Sequence, residues 1–272
     1  MSGFRRNPSL AIGATLVAAM VVTAVLGPIV VHRDPFAIDL RLALAGPNRI
    51  HPLGCDSLGR DMLARMAYGA RLSLAVSISV IALSMAAGTA IGGSAALAGG
   101  AIESVMMRLV DIVLAFPGFL LAIALAAILG PGLPGVVIAL SAMGWTGYAR
   151  LVRGEILSLR EREYVQAAAS LGASPARLLI RHLLPPLAAA LAVQATFGIG
   201  GIIVAEASLS FLGLGATPPM PSWGNMLDAG RAFLLVAPHL TTVPGLAIGL
   251  SVLGFNLLGD GLAQLAGSRA HS

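Results

Sequence analysis

Long apolar stretches, interrupted by short polar ones, dominate the pattern along this chain. A membrane-spanning helix needs about 20 predominantly apolar residues, and each stretch is long enough to supply at least one. The spans of a β-barrel would instead be alternating segments of about ten residues, and the chain lacks that alternation. The apolar stretches cover residues 7–31, 72–102, 112–149, 183–205 and 232–259. The pattern therefore predicts an all-α, polytopic membrane protein.

Turn-forming residues divide these stretches into six predicted transmembrane helices. The run from Ile112 to Ala149 is too long for one span, and the sequence GPGLPG at 130–135 divides it into spans three and four. A short amphipathic stretch that ends at Pro117 leads into span three. Six spans place both termini on the same side of the membrane. The other four spans run from about Leu10 to Val31, Leu72 to Ala98, Pro186 to Leu209 and Thr241 to Leu262.

The N-terminal stretch allows two interpretations, because Arg5 and Arg6 precede an apolar run, as basic residues do in a signal peptide. The apolar core of a signal peptide is usually about 7–15 residues long, whereas this run continues to Val31. We therefore expect a first transmembrane helix rather than a cleaved leader.

Composition and charge agree with a membrane protein. The chain is 57% apolar and 11% charged, with a mean hydropathy of +0.89, whereas a soluble domain carries about 25% charged residues. All 17 basic residues are Arg, and several border predicted spans, where cytoplasmic loops are rich in positive charge. We therefore expect the chain to contact a lipid bilayer and not nucleic acid. Ten of the 17 arginines are cytoplasmic if the N-terminus is inside, a bias too small to decide the orientation alone.

Motifs for catalysis and metal binding are missing. The single cysteine and the five histidines have no metal-ligand spacing, and no GxxxxGK[ST] loop could hold the phosphates of ATP. Constellations such as HExxH or GxSxG do not occur either. The sequence therefore predicts a non-catalytic membrane subunit with no catalytic residue, no metal site and no cofactor.

The loop between spans four and five, residues 150–185, is the most charged part of the chain. A helix is predicted from Leu157 to Leu171, and Gly172 supplies the left-handed cap that ends it. Ser174 is a good N-cap and Pro175 fits the first helical position, so a second helix is predicted to run to the two prolines at 185–186. Near one face of the first helix fall Leu157, Tyr164, Ala168 and Leu171.

This helix–turn–helix resembles the cytoplasmic motif of ABC importer permeases, which reads Glu-Ala-Ala, three residues, Gly, nine residues, Ile-x-Leu-Pro. Here residues 166–168 read QAA, residue 172 is Gly and residues 182–185 read HLLP. The segments HPLGCDSLGRDMLARMAYGARLSL, AFPGFLLAI, YARLVRGEIL and AEASLSFLGLGATPPMPSWGNML also resemble the dipeptide, oligopeptide and nickel branch of that family. The resemblance covers most of the chain from about residue 51 to residue 260.

The resemblance implies a type I ABC importer permease fold in a bacterial plasma (inner) membrane, with both termini cytoplasmic. It implies an N-terminal helix and extracytoplasmic segment (1–70), a core of five helices with a coupling loop at 150–185 (71–265), and a cytoplasmic tail (266–272). The implied partners are two ABC ATPase subunits, a second homologous permease and an extracytoplasmic solute-binding protein. The family glutamate is Gln166 here, which removes a charge that could pair with the ATPase. The residues expected to dock on the ATPase are Gln166, Ala167, Ala168, Gly172 and Pro185.

Dipeptides or oligopeptides are the substrates that the resemblance favours. Nickel or a metal chelate is the alternative, because the segment DPFAIDL after span one resembles some nickel permeases. A different class, an ATP-independent secondary transporter, would carry ionisable residues near the bilayer midplane. Glu206 is the only strong candidate of that kind within a predicted span. A membrane-embedded enzyme is the third class, and the missing motifs argue against it.

Several further residues carry open alternatives. Glu206 could line the translocation path or hold a gate, or it could be a structural carboxylate bonded to backbone near the outer interface. Arg60 and Asp61 could form a fixed turn or meet the binding protein. Asp111 is expected to pair with Arg108, three residues earlier. Two small-xxx-small pairs that allow close helix contact are Gly88 with Gly92 and Gly245 with Gly249.

Overall fold

The computed structural model describes residues 7–269, which form nine long or short α-helical elements and one turn of 3-10 helix at Leu40–Leu42 within that range. No ladder of paired strands occurs among these residues, and Cys55 and Asp61 form an isolated bridge. The predicted all-α fold is therefore confirmed. In chain order the helices are α1 (Pro8–Val30), α2 (Met62–Ala98), α3 (Gly100–Ala115), α4 (Gly118–Leu129), α5 (Leu133–Leu159), α6 (Glu163–Ser170), α7 (Pro175–Phe211, including a π-helical turn at Leu178–Leu183), α8 (Trp223–Arg231) and α9 (His239–Arg269).

Five of these helices, α1, α2, α5, α7 and α9, are long and apolar enough to cross a membrane. The pair α3 and α4 passes the same test together and is bent by 86° at the break between its members. Counting the bent pair as one span gives six, as predicted, and residues 8 and 269 then lie at the same end of the bundle. We call that end, where α6 lies, the loop end. The opposite end, which carries residues 31–61 and α8, is the cap end.

Span three differs from the prediction because it is not one straight helix. Its members have 16 and 12 residues, so neither reaches across a bilayer alone. Pro117 separates them, and a proline lacks the N–H that a continuous helix needs. Asp111 on α3 pairs with Arg150 of α5 at 2.6 Å rather than with Arg108. The predicted Asp111–Arg108 pair is therefore wrong, because a partner on another helix lies closer.

Helix α2 begins at Met62, well before the predicted Leu72. Its N-cap is Asp61, whose carboxylate accepts the Ala64 N–H at 2.8 Å. A capping carboxylate satisfies a backbone donor that the first helical turn leaves free. The polar segment before the apolar run is therefore helical for its last ten residues or so, which hydropathy alone does not indicate.

Helix α2 lies at the centre of the bundle and packs most extensively on α5. A Cβ added to Gly92 would lie 2.3 Å from the Ala149 carbonyl oxygen, and one added to Gly88 would lie 2.4 Å from the Tyr148 Cβ. These two glycines therefore let the backbones of α2 and α5 touch, as predicted for a small-xxx-small pair. The second predicted pair, Gly245 with Gly249, makes no such close helix contact, since a Cβ added to Gly249 would meet nothing within 4 Å.

Replacing Gly92 by Ala should destabilise the protein, because the new methyl group would push against backbone that has no rotamer to change. Overpacking of this kind costs about 1–3 kcal/mol, and we expect a lower unfolding temperature of the purified chain in detergent. Gly249→Ala is the matched control on another membrane helix and should leave that temperature unchanged or slightly raised. Equal unfolding temperatures for the two variants would contradict the close α2–α5 contact.

Candidate functional site

The helix α6 and the turn after it form an elbow at the loop end, and backbone hydrogen bonds close that elbow. Gly172 has φ +80°, its N–H donates to the Ala169 carbonyl at 3.0 Å, and the next N–H, of residue 173, donates to the Ala168 carbonyl at 3.1 Å. These two backbone hydrogen bonds together define a Schellman motif. The Ser174 hydroxyl then accepts the N–H of residue 177 at 3.4 Å, and Pro175 occupies the first position of α7. The predicted stop and restart are therefore confirmed.

The predicted continuous helix from 157 to 171 is wrong, because the chain leaves the helical path between α5 and α6. Helix α5 ends at Leu159, and Arg162 has extended backbone before α6 begins. The Arg160 guanidinium donates to the Ala96 carbonyl at 3.3 Å, at the C-terminal end of α2. A cation is favourable there because the last carbonyls of a helix carry partial negative charge. This tertiary contact holds the break in place.

The side chains expected to dock are mostly at the surface of the elbow. Gln166, Ala167 and Gly172 are exposed and Ala168 is half-buried. Among the α6 residues only Val165 is buried, and it packs in a cluster with Ile156 and Leu183. One apolar residue anchors the helix, and the small side chains face outward.

Leu171 is a surface residue that the motif did not indicate. It is the C-cap of α6 and not part of a helical face, and 89% of it is exposed. It adds an exposed apolar side chain to the surface of the elbow. The signal in the sequence is a leucine placed directly before the capping Gly172.

The second predicted helix is not separate from span five, because α7 continues from Pro175 to Phe211 through the π-helical turn. Pro186 has no N–H to donate to the His182 carbonyl, and the Tyr164 hydroxyl of α6 reaches that oxygen at 3.5 Å. Pro185 is exposed beside it. Because Pro186 cannot donate to it, the His182 carbonyl is left for the Tyr164 hydroxyl, and the elbow contacts α7 at this point.

Glu206 lies near the C-terminal end of α7 and is fully buried, with 0% exposure. Its carboxyl oxygens accept the Ser73 hydroxyl of α2 at 3.1 Å and the Ser210 hydroxyl at 2.8 Å. The Ser210 oxygen also accepts the Ala216 N–H at 3.2 Å. The carboxyl therefore bonds to side chains on two helices, not directly to backbone, and connects α2, α7 and the loop that follows α7.

A second polar cluster lies at the cap end. Asp61 binds the guanidinium of Arg33 and the imidazole of His51, each at 2.7 Å. Burial alone would raise the pKa of the Asp61 carboxyl, but the Ala64 N–H, His51 and Arg33 outweigh it and hold that pKa below its ordinary value. Arg60 pairs with the neighbouring carboxylate of residue 56 at 2.7 Å. Arg60 and Asp61 therefore form a fixed turn, the first of the two alternatives.

A family model places the chain among transport proteins. The model for the "Binding-protein-dependent transport system inner membrane component" matches residues 88–272, more than half of the chain. The chain belongs to this family. The matched range contains the α6 elbow, both members of the bent span and Glu206.

Curated relatives align along most of the permease. The "Glutathione transport system permease protein GsiD" of Pectobacterium atrosepticum is 47% identical over 217 residues, 80% of this chain and 72% of that protein. The "Dipeptide transport system permease protein DppC" of Alkalihalophilus pseudofirmus is 40% identical over 258 residues, 95% of this chain and 85% of that protein. The GsiD of Escherichia coli O157:H7 is 42% identical over 260 residues, 95% and 86% of the two chains. The chain is a multi-pass membrane permease of the peptide branch, and the resemblance is confirmed.

Replacing Glu206 by Leu should destabilise the permease, because the buried hydroxyls of Ser73 and Ser210 would lose their acceptor. An unsatisfied buried polar group costs about 1–3 kcal/mol, so we expect a lower unfolding temperature in detergent. Glu206→Gln keeps a carbonyl oxygen for one hydroxyl and should lose less. Glu155→Gln, at an exposed position on α5, is the control. A Leu variant as stable as the parent would contradict the bonding described above.

Asp61→Asn should lower stability at neutral pH by about 1.5–3 kcal/mol, because charge-assisted hydrogen bonds would be lost. A carboxyl with a lowered pKa stabilises the fold above its unfolded-state value near 3.9, and this stabilisation is lost as the pH falls through the folded-state pKa. The gap in unfolding temperature between parent and variant, measured from pH 7 to pH 3, should therefore stay constant down to about pH 4 and narrow below it. The exposed Asp260→Asn should show no gap at pH 7, and a gap for Asp61→Asn that is as large at pH 3 as at pH 7 would contradict the assignment.

Proposed function

We propose that this permease is one of the two membrane subunits of an ATP-driven importer that carries small peptides. The observation that supports this substrate class is 40–47% identity to proteins named for dipeptide and glutathione transport. Glutathione is itself a tripeptide, so both names describe short peptides. None of the three relatives reported above is named for nickel, and the nickel alternative rests only on the segment after α1.

Two ABC ATPase subunits supply the energy in this proposal, and one of them docks on the α6 elbow. The exposed small residues Ala167 and Gly172 let a partner approach the backbone closely, and Leu171 offers an apolar side chain for a pocket. Pro185 lies at the edge of this surface. Hydrolysis takes place in the ATPases, so the permease itself is not an enzyme.

The elbow also fixes the orientation in this proposal. ATP is cytoplasmic, so the loop end and both termini are cytoplasmic and the cap end is extracytoplasmic. The solute-binding protein delivers its cargo at the cap end, to a pathway between this chain and a second homologous permease. The divisions 1–70, 71–265 and 266–272 then correspond to an N-terminal helix with its outer segment, the core and a cytoplasmic tail.

Transport follows from two conformations that bind the partners differently. ATP binding brings the two ATPases together and moves the elbows, which favours the outward-facing arrangement of the permease pair. Rigid-body movement of helices then alternates access to the pathway, and the nucleotide acts only through its different affinity for the two states. Glu206 acts in this scheme by holding α7 to α2 at the outer mouth.

Purification of the tagged permease from its host tests the assignment directly. We expect an ATPase and a second permease to co-purify, and the complex with its binding protein to take up labelled dipeptide or glutathione into proteoliposomes only when ATP is present. Uptake driven by an ion gradient without ATP would contradict the proposal and support a secondary transporter. Uptake of nickel but of neither peptide would correct the substrate class.

Replacing Leu171 by Arg should remove the ATPase from the purified complex, because the apolar side chain would be exchanged for a charge at the contact. Central interface residues are worth about 2 kcal/mol or more, so the ATPase retained should fall at least about tenfold. Leu40→Arg at the cap end is the matched control, since Leu40 is 68% exposed and lies far from the elbow along the bundle. Equal ATPase retention by both variants would contradict docking at Leu171.

A further inference from the structure

Helix α3 is held to the bundle more loosely than the other long helices. Val110 is its one buried residue. At its N-terminal end Gly99 and Gly100 have φ +65° and +54°, and a Cβ on either would meet nothing within 4 Å. At its C-terminal end Pro117 marks the 86° bend to α4. Positive φ favours glycine, and hinge residues are often small. Helix α3 is therefore flanked by a candidate hinge at each end.

Two ion pairs connect α3 to α5. Arg153 binds one Glu103 oxygen through Nη2 at 2.6 Å and through Nε at 2.7 Å. Further along, Arg150 binds Asp111 at 2.6 Å. The four charged side chains line a polar cleft of about 500 Å³ together with Ser104, Met107 and Arg108. The pairs are thus the main polar contact between α3 and α5.

Helix α5 leads directly into the elbow. Arg153 lies in its last two turns, which end at Leu159, and α6 begins at Glu163. Arg160, in the intervening turn, donates to the Ala96 carbonyl near the end of α2, and α3 begins just after α2. A displacement of the elbow therefore acts directly on the last turns of α5, as it does on the start of α7.

We propose that Arg153 with Glu103, supported by Arg150 with Asp111, makes α3 follow the elbow, so that movement at the ATPase contact changes the bend between α3 and α4. Arg153 and Glu103 are positioning residues in this step, and the step rests on the proposed function. The Glu103 carboxylate is 15% exposed and the Arg153 side chain 40%. Arg150 and Asp111 are more open to water, at 54% and 61%, and ion pairs this exposed are weak, which suits a link that rearranges in each cycle.

The ion pairs between α3 and α5 can be broken without a large loss in the stability of the fold. The close contact of α2 with α5 at Gly92 holds α5 in place without α3, and α3 buries little of its own surface. Breaking the pair should therefore leave the unfolding temperature unchanged within error. A change in coupled movement at unchanged stability is a result that a merely structural ion pair would not give.

Distance measurements by pulsed electron spin resonance on the full importer complex test the link. Cys55, the single cysteine, is buried, so nitroxides can be placed at Val105→Cys on α3 and Val22→Cys on α1, both at exposed positions. In the parent complex, ATP with vanadate should shift the distance between these labels. Arg153→Glu should reduce the shift at least twofold, and the charge swap Glu103→Arg with Arg153→Glu should restore it. Glu155→Arg, the control on α5, should leave the shift unchanged.

Each outcome has a distinct meaning. A shift that Arg153→Glu leaves unchanged, or that the charge swap fails to restore, would overturn the link while the importer assignment stands. A parent complex that hydrolyses ATP but shows no shift would also overturn the link. A parent chain that retains no ATPase would overturn the proposed function, and the link with it.

Discussion

The direct backbone contact between α2 and α5 is the constraint on which the rest of the structure depends. Lipid is as apolar as a leucine side chain, so membrane helices gain little from burying leucine against leucine and pack instead through small residues and close backbone approach. Gly88 and Gly92 supply that approach against Tyr148 and Ala149. Because α2 reaches the cap network at one end and the elbow turn at the other, this contact fixes the positions of both polar ends of the bundle.

The ionisable groups are arranged as the membrane requires. The half-buried or buried carboxylates Asp61, at one end, and Glu103, at the other, have cationic partners in Arg33 and Arg153. Glu206 has hydroxyl partners instead, and it lies between helices and not toward lipid. A carboxyl in such a place is costly unless it is bonded. The pair of serine hydroxyls satisfies it and explains how one acidic residue is tolerated within an otherwise apolar helix.

Sequence patterns predicted what local chemistry determines and missed what distant contacts determine. Hydropathy located the spans, and the glycine at 172 with Ser174 located the elbow, because caps depend on residues next to each other. The break before α6 and the partner of Asp111 were missed because both depend on contacts between distant segments. Arg160 binds the Ala96 carbonyl of α2, and Asp111 of α3 pairs with Arg150 of α5. The 86° bend was missed as well, because Pro117 indicates an interruption but not its angle.

The elbow of this permease differs from the family motif at two positions, Gln166 in place of the glutamate and His182 in place of the isoleucine, and the first change removes a charge. Gln166 is exposed, and its amide donates to the Glu161 carbonyl at 3.2 Å, so it serves the local turn. In the proposed docking, Leu171 and the small residues around it are the contact surface, and complementarity of shape would supply much of the affinity. The proposed coupling step would then depend on how well the ATPase groove fits the elbow. The ion pair between Arg153 of α5 and Glu103 of α3 would pass the movement on from there.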